Sequence, residues 1–340
     1  MTDLNLNTDL QTNTLSPMRI NWRRWLYPIV LVSIYFVWFT YMSASRQWHL
    51  LAEHWTISLT MTFGSLVAGA TAEGGGAVAF PVFTKLLHIA PNDARTFGLM
   101  IQAVGMTTAA LVIYLNRIKV LGNVILWVSI GGFFGQILGT YLLVIPPPYP
   151  RILFTLVAGM FGITMLIQMM LTKEKPKQAM PAWLPSQKAL FLVTGVVGGI
   201  FAAQTGAGVD MMAFIVLTIV YRMNIKISTP TTVVIMAINS IIGFYLHGVI
   251  SQDIGIVWEY WLVAIPIVII GAPLGAYLAS KVPHNAIAIF LLSLIALEVV
   301  TTIWLIPFGT EQLIVTGIAI AITGIVLMGL LWLHRRIYGS

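Results

Sequence analysis

Two stretches of this chain resemble each other, and each interrupts a long apolar run with glycine. The first is Gly64-Ser-Leu-Val-Ala-Gly-Ala-Thr-Ala-Glu-Gly-Gly-Gly76, continuing to Pro81. The second is Gly195-Val-Val-Gly-Gly-Ile-Phe-Ala-Ala-Gln-Thr-Gly-Ala-Gly208, continuing to Asp210. The apolar segments that contain them, 55–89 and 188–220, are too long for one crossing: a straight helix of about 33 residues runs about 50 Å, against a hydrocarbon core of about 30 Å. Glycine costs about 1 kcal/mol against alanine inside a helix, so the clusters at 74–76 and 206–208 mark breaks. The simplest fit is a helix–break–helix hairpin that returns to the side it entered. A membrane protein with two related halves, each carrying a glycine-interrupted span, usually holds a small solute where the interruptions meet.

Composition fixes the solvent. The 340 residues are 58% hydrophobic and 9% charged, with mean hydropathy +0.90, whereas a soluble domain is about 25% charged. An all-α integral membrane protein is therefore expected, with about ten apolar segments at 26–44, 55–89, 96–115, 122–145, 151–171, 188–220, 230–248, 257–280, 285–306 and 312–333. The net charge of +7 is read as orientation signal in the loops, not as a nucleic-acid surface. The absence of Cys excludes disulfides, thiolate metal sites and a Cys nucleophile. The six His show no metal spacing, and no ATP-binding P-loop is present. No cofactor, metal or enzymatic activity is expected.

Residues 1–18 are polar and read as a disordered tail; 19–50 carry an uncleaved first transmembrane helix behind Arg19, Arg23 and Arg24. The remaining divisions are a first repeat at 55–172, a Lys- and Pro-rich cytoplasmic linker at 173–187, a second repeat at 188–306 and a last transmembrane helix at 312–333. If every segment crossed once, the 18 Lys and Arg residues would divide eleven to seven. With hairpins at segments two and six, only Arg46, Lys85, Arg95 and Arg151 remain outside, which the positive-inside rule prefers. Both termini are then cytoplasmic, and the halves run through the membrane in opposite senses, as inverted repeats. Further matches keep the same order: Leu111-Val-Ile-Tyr-Leu115 with Ile242-Gly-Phe-Tyr-Leu246, and Gly135-Gln-Ile-Leu-Gly-Thr-Tyr-Leu142 with Gly271-Ala-Pro-Leu-Gly-Ala-Tyr-Leu278.

Three acids fall inside spans: Glu73, Asp210 and Glu298. A charge at the bilayer centre costs roughly 2.5–3.5 kcal/mol on insertion scales. Glu73 and Asp210 adjoin the glycine breaks and are read as coupling residues for a proton or cation; Glu298 is read either as functional or as a bond to a neighbouring helix. A helix restarting after Gly76 or Gly208 points free N–H groups and its positive dipole end inward, which suits an oxyanion without a buried Arg. No Arg or Lys is expected deep in these spans. Candidate substrate-binding residues are Gly74, Gly75, Gly76, Gln102, Gln204, Thr205, Gly206, Gly208, Thr231, Thr232 and Asn239, with Gln204 aligning with Glu73. Pro230 is placed in the first turn of segment seven.

The pattern resembles the TauE/SafE family of membrane permeases. The resemblance rests on Gly69-Ala-Thr-Ala-Glu-Gly-Gly-Gly-Ala-Val-Ala-Phe-Pro81, on Asp93-Ala-Arg-Thr and Ile101-Gln-Ala-Val-Gly-Met106, and on Gly206-Ala-Gly-Val-Asp with Lys226-Ile-Ser-Thr-Pro-Thr-Thr232. It covers most of residues 55–306. The second half departs from the family pattern at Ala207, which interrupts the glycine run, and at Met212, where proline would align. The resemblance implies transport of a small sulfur oxyanion, sulfite or a short organosulfonate leading, without settling its direction; export across the inner membrane is the expectation. Together these readings describe a secondary transporter whose partners are a small anionic solute, a coupling proton or cation and the lipid bilayer. A homo-oligomer stays open. The alternatives are an anion channel and a non-transporting membrane subunit or receptor.

Overall fold

The structure, a computed structural model, describes residues 23–71, 74–170, 176–181, 183–306 and 308–338. Among them thirteen α-helices follow one another: α1 (Arg23–Ala44), α2 (Leu50–Glu53), α3 (Trp55–Ala70), α4 (Gly76–Pro81), α5 (Pro91–Leu115), α6 (Gly122–Tyr141), α7 (Tyr149–Met170), α8 (Pro185–Thr205), α9 (Val209–Ile215), α10 (Ile225–Tyr245), α11 (Val257–Lys281), α12 (His284–Leu305) and α13 (Thr310–Tyr338). Single π-helical turns prolong α4 over Val82–Leu86, α9 over Val216–Val220 and α10 over Leu246–Ser251. Among the described residues there is no strand, and nine helices are long and apolar enough to cross a membrane. The chain is an all-α multi-pass membrane protein. The 1–18 tail and Glu73 lie outside the described residues.

Both glycine clusters break their helices. The second break begins where Gly206 turns left-handed (φ +81°) and its N–H closes on the Ala202 carbonyl at 2.8 Å. Glycine adopts this conformation without the Cβ clash that other residues suffer. Gly208 (φ +148°) then launches α9. In the first break Gly74 takes φ +67°, and α4 restarts with the Gly75 carbonyl accepting from the Ala79 N–H at 2.8 Å. Each restarted helix folds back against the helix before it. A Cβ on Gly198 of α8 would sit 2.7 Å from the Val209 backbone, and one on Gly64 of α3 would touch Val78.

The hairpins are anchored on each other's halves. Helix α3 lies along α11 and α8 lies along α6, while α5 crosses α10 and α7 pairs with α12. Exchanging the halves carries the first pair onto the second. Both crossings are built on glycine, as close helix packing in lipid requires. A Cβ on Gly69 would strike the Ala272 carbonyl, and one on Gly275 the Leu66 carbonyl; in the other pair Gly199 meets the Gly132 carbonyl and Gly135 that of Val196.

Helix α1 is peripheral, its apolar side chains largely exposed, yet it is tied down by a consequence of proline chemistry. Pro266 and Pro273 lie inside α11 and have no N–H to offer the carbonyls four residues back. Those carbonyls, of Leu262 and Ile269, accept instead from Trp38 Nε1 at 2.7 Å and Tyr27 Oη at 3.1 Å. One expectation is corrected: Pro230 sits in the second turn of α10, because the Asn224 side chain caps the helix earlier by accepting from the Lys226 N–H at 2.9 Å.

Candidate functional site

The two breaks meet. A Cβ on Gly74 would overlap the Met236 side chain and come within 3.5 Å of Asp210 Oδ2, so the first break touches the carboxylate that follows the second. Asp210 is fully enclosed, 1% exposed. Its Oδ1 accepts from the Gly208 N–H at 3.0 Å. The start of α9 thus already holds an anion, supplied by its own side chain. Oδ2 has no partner among the described residues.

Around this carboxylate lies a small cavity of ≈ 10 Å³, room for about one water. It is lined by Gln102 of α5, Gln136 of α6, Gly206, Gly208 and Asp210 of the second hairpin, and Met236, Asn239 and Ser240 of α10. Ser240 donates to Gln102 Oε1 at 3.2 Å, and Gln136 Nε2 donates to the Asn239 carbonyl at 2.7 Å. Asn239 gives its amide to the Ile235 carbonyl at 2.9 Å. Gln102 Nε2 and Asn239 Oδ1 are buried without a partner among the described residues. Buried amides left half-used are costly; both residues line the cavity, and Asn239 Oδ1 rests against Gly132 of α6.

Of the residues expected from sequence, Gln102, Gly206, Gly208, Asp210 and Asn239 line this cavity and Gly74 adjoins it. Gly75 and Gly76 form the restart of α4. Others are engaged elsewhere. Gln204 donates to the Gly139 and Leu143 carbonyls at 2.7 and 2.9 Å and accepts from the Ile145 N–H at 3.1 Å, so its amide ties off the end of α6. Thr205 bonds the Phe201 and Ala207 carbonyls. Thr231 donates to Ile227 and accepts from the Leu121 N–H, and Thr232 donates to Thr229. Gln136 was missed, because one amide in the run Gly135-Gln-Ile-Leu-Gly139 reads simply as a member of the repeat.

A second, larger cavity of ≈ 250 Å³ reaches the first break at Gly69, Ala70 and Thr71. Its walls are apolar (Phe161, Phe214, Val233), with Thr229 and Lys226 on the α10 side. A surface groove of ≈ 680 Å³ between α1, α5 and α11 is bigger still but lies away from both breaks. The expectation that no Arg or Lys lies deep is corrected: Lys85 and Arg95 are each 8% exposed. Lys85 pairs with Glu298, and Arg95 lies beside Gly206. Their burial comes from helices distant in sequence that cover segments which look like loops.

The model of the sulfite exporter TauE/SafE family matches residues 57–302. The chain belongs to the TauE/SafE family. That match spans both hairpins, the small cavity beside Asp210 and the crossing helices. TauE/SafE membership makes this chain one of a family of membrane transporters for sulfur compounds, not of enzymes. No curated protein and no solved structure matches the chain.

Proposed function

We propose that this chain is a secondary transporter that exports a small sulfur oxyanion, sulfite or a short organosulfonate, from the cytoplasm by alternating access. The observation that carries the reading is the meeting of Gly74 with Asp210 beside a cavity lined by Gln102, whose amide N–H is unspent, and by Asn239. The solute's oxygens would be met by Gln102, by the glycine backbone at 74–76 and 206–208, and by Asn239 on its protonated or hydroxyl-bearing side. Family membership supplies the sulfur chemistry.

The reciprocal pairing of α3 with α11 and α8 with α6 supports two repeats inserted in opposite senses. In that arrangement 55–172 and 188–306 are the moving units, both termini are cytoplasmic, and the membrane is the inner one. One break is reached by a cavity of ≈ 250 Å³ and the other by one of only ≈ 10 Å³. Separate, unequal cavities at the two breaks suit a carrier better than a channel, which needs a continuous pore. Asp210 offers the coupling step. Its carboxylate occupies the Gly208 N–H that an oxyanion would use, so a proton on Asp210 would free it, and anion and proton occupancy would be linked. Glu73 remains a second coupling candidate on its sequence position alone.

Reconstituted protein assayed with sulfite, sulfoacetate, sulfate, acetate and chloride tests this reading. Saturable flux of sulfite or sulfoacetate, stimulated by a proton gradient, is expected. Preference for acetate over every sulfur anion overturns the substrate, and large unitary currents overturn the carrier.

A further inference from the structure

Arg95 occupies a place that its loop-like position in sequence does not announce. It lies in the first turns of α5, and its backbone presses on the second break: a Cβ on Gly206 would sit 2.7 Å from the Arg95 carbonyl oxygen. Gly98, one turn on, packs on Gly206 as well. The guanidinium is buried but poorly paired. Nη1 donates to the Ala203 carbonyl at 3.3 Å and Nη2 to Thr96 Oγ1 at 3.4 Å, both long bonds, and Nε has no partner among the described residues. Its nearest counter-charge, Asp253 Oδ2, stands 3.9 Å away. Asp253 is itself 45% exposed and is held from the other side by His247 Nδ1 at 2.9 Å; Asp93 is the other carboxylate that acts on the guanidinium.

A guanidinium out of water needs two good oxygen partners, and its planar fork suits an oxyanion better than one distant carboxylate does. Burial this incomplete is unfavourable at rest and becomes favourable once an anion with several oxygens arrives. We propose that Arg95 is the anion-exchanging residue at the outer end of the transporter: a sulfur oxyanion passing beside Gly206 between the small cavity and the outer face displaces Asp253 from the guanidinium. This rests on the transport reading above and adds a residue and a face to it. No bond is made or broken; one carboxylate is exchanged for another anion. The Lys226 end, at the mouth of the larger cavity, serves the opposite face and does not use Arg95.

The test is sided flux. Because the chain contains no Cys, a single Cys placed at exposed Ala90 reports the orientation of each vesicle preparation. Half-saturation for sulfite is then measured from each face at alkaline pH, where sulfite stays ionised. Arg95→Gln is expected to raise it by about tenfold or more from the Arg95 face, the worth of one lost charge-assisted hydrogen bond, while the other face stays within about twofold. Arg95→Lys is expected to fall between. Equal loss from both faces, or no loss from the Arg95 face, overturns the proposal. Should Arg95→Gln not fold, Asp253→Asn, in an exposed loop, decides: removing the competing carboxylate is expected to lower half-saturation on that face by about threefold, and no change or a rise overturns it. Wild-type vesicles that move neither sulfite nor sulfoacetate overturn the transport reading itself, an outcome distinct from an unsided variant.

Discussion

Lys85 Nζ lies 2.6 Å from Glu298 Oε2, and both side chains are almost out of solvent. The pair joins the turn after α4 to α12, and it is bonded around. Thr155 of α7 donates to Glu298 Oε1 at 2.7 Å, and Lys85 also donates to Thr301 and Thr302 at 3.1 and 2.7 Å. Glu298 therefore braces three helices, the bond to neighbours that was one of its two readings from sequence. Removing one partner of a buried pair leaves the other charge uncompensated, at a cost of about 3–5 kcal/mol. Glu298→Leu is expected to lower the thermal midpoint in detergent markedly, and the double variant Lys85→Met with Glu298→Leu to recover most of the loss. A single variant as stable as the wild type would remove the bracing role.

Gly206 is constrained twice, by its left-handed backbone and by the Arg95 carbonyl. Gly206→Ala is expected to lose at least about 1–2 kcal/mol from the backbone alone, with α5 pushed away from the break. A Cβ on Gly317 in α13 would meet nothing within 4 Å, so Gly317→Ala is expected to be neutral or to gain up to about 1 kcal/mol. Thermal unfolding of the two variants side by side checks the contrast.

Two amides predict opposite outcomes. Gln204 is saturated by the α6 end, so Gln204→Ala is expected to cost about 1–3 kcal/mol of stability and to leave half-saturation for sulfite unchanged. Gln102 keeps an unpartnered Nε2 and lines the small cavity beside Asp210. Gln102→Ala is expected to raise half-saturation about tenfold with a small change in stability. Flux kinetics and unfolding measured on the same preparations separate the two roles, and a reversed pattern would exchange them.

The division between what the sequence told and what it concealed follows from the same residues. The breaks were legible because glycine runs are unfavourable in helices and two matching runs are hard to explain otherwise. The pairing of Gly135 with Gly271 was legible for a similar reason: both lie where helices cross closely. Gln204, Gln102 and Gln136 were not separable, since an amide in an apolar run looks the same whether it binds solute, ties off a helix or joins two spans. That choice is made by residues distant in sequence, such as the Gly139 carbonyl and Ser240. Lys85 and Arg95 misled for the complementary reason. A charge near a span end reads as solvated, and only tertiary packing shows that α12 and α8 cover it.

The proposed opposed insertion of the halves makes a labelling prediction. Ala90, before α5, and Lys226, at the start of α10, are both exposed and stand at corresponding points after the two hairpins. Single Cys variants at these positions are expected to react with an impermeant maleimide from opposite faces of the membrane. Labelling of both from one face would remove the inverted relationship and the alternating geometry with it.

Asp210 makes the sharpest claim, because in the proposed site its carboxylate stands where the solute's oxygens would. Its Oδ1 accepts from the Gly208 N–H at 3.0 Å, at the positive end of α9, where negative charge is favoured. An anion entering the cavity must displace this carboxylate or find it neutralised. Asp210→Asn keeps the shape and removes the competing charge. If the proposed exchange operates, the variant binds sulfite more tightly, by about tenfold for one like charge removed at short range, and its flux loses the stimulation that a proton gradient gives the wild type. Tighter binding follows from the lost competition and uncoupled flux from the lost proton carrier, so both changes must appear together. Binding by calorimetry and flux at several imposed pH gradients measure them separately. A variant that binds as the wild type does and still responds to the gradient would move coupling away from Asp210 and leave the start of α9 a purely structural cap.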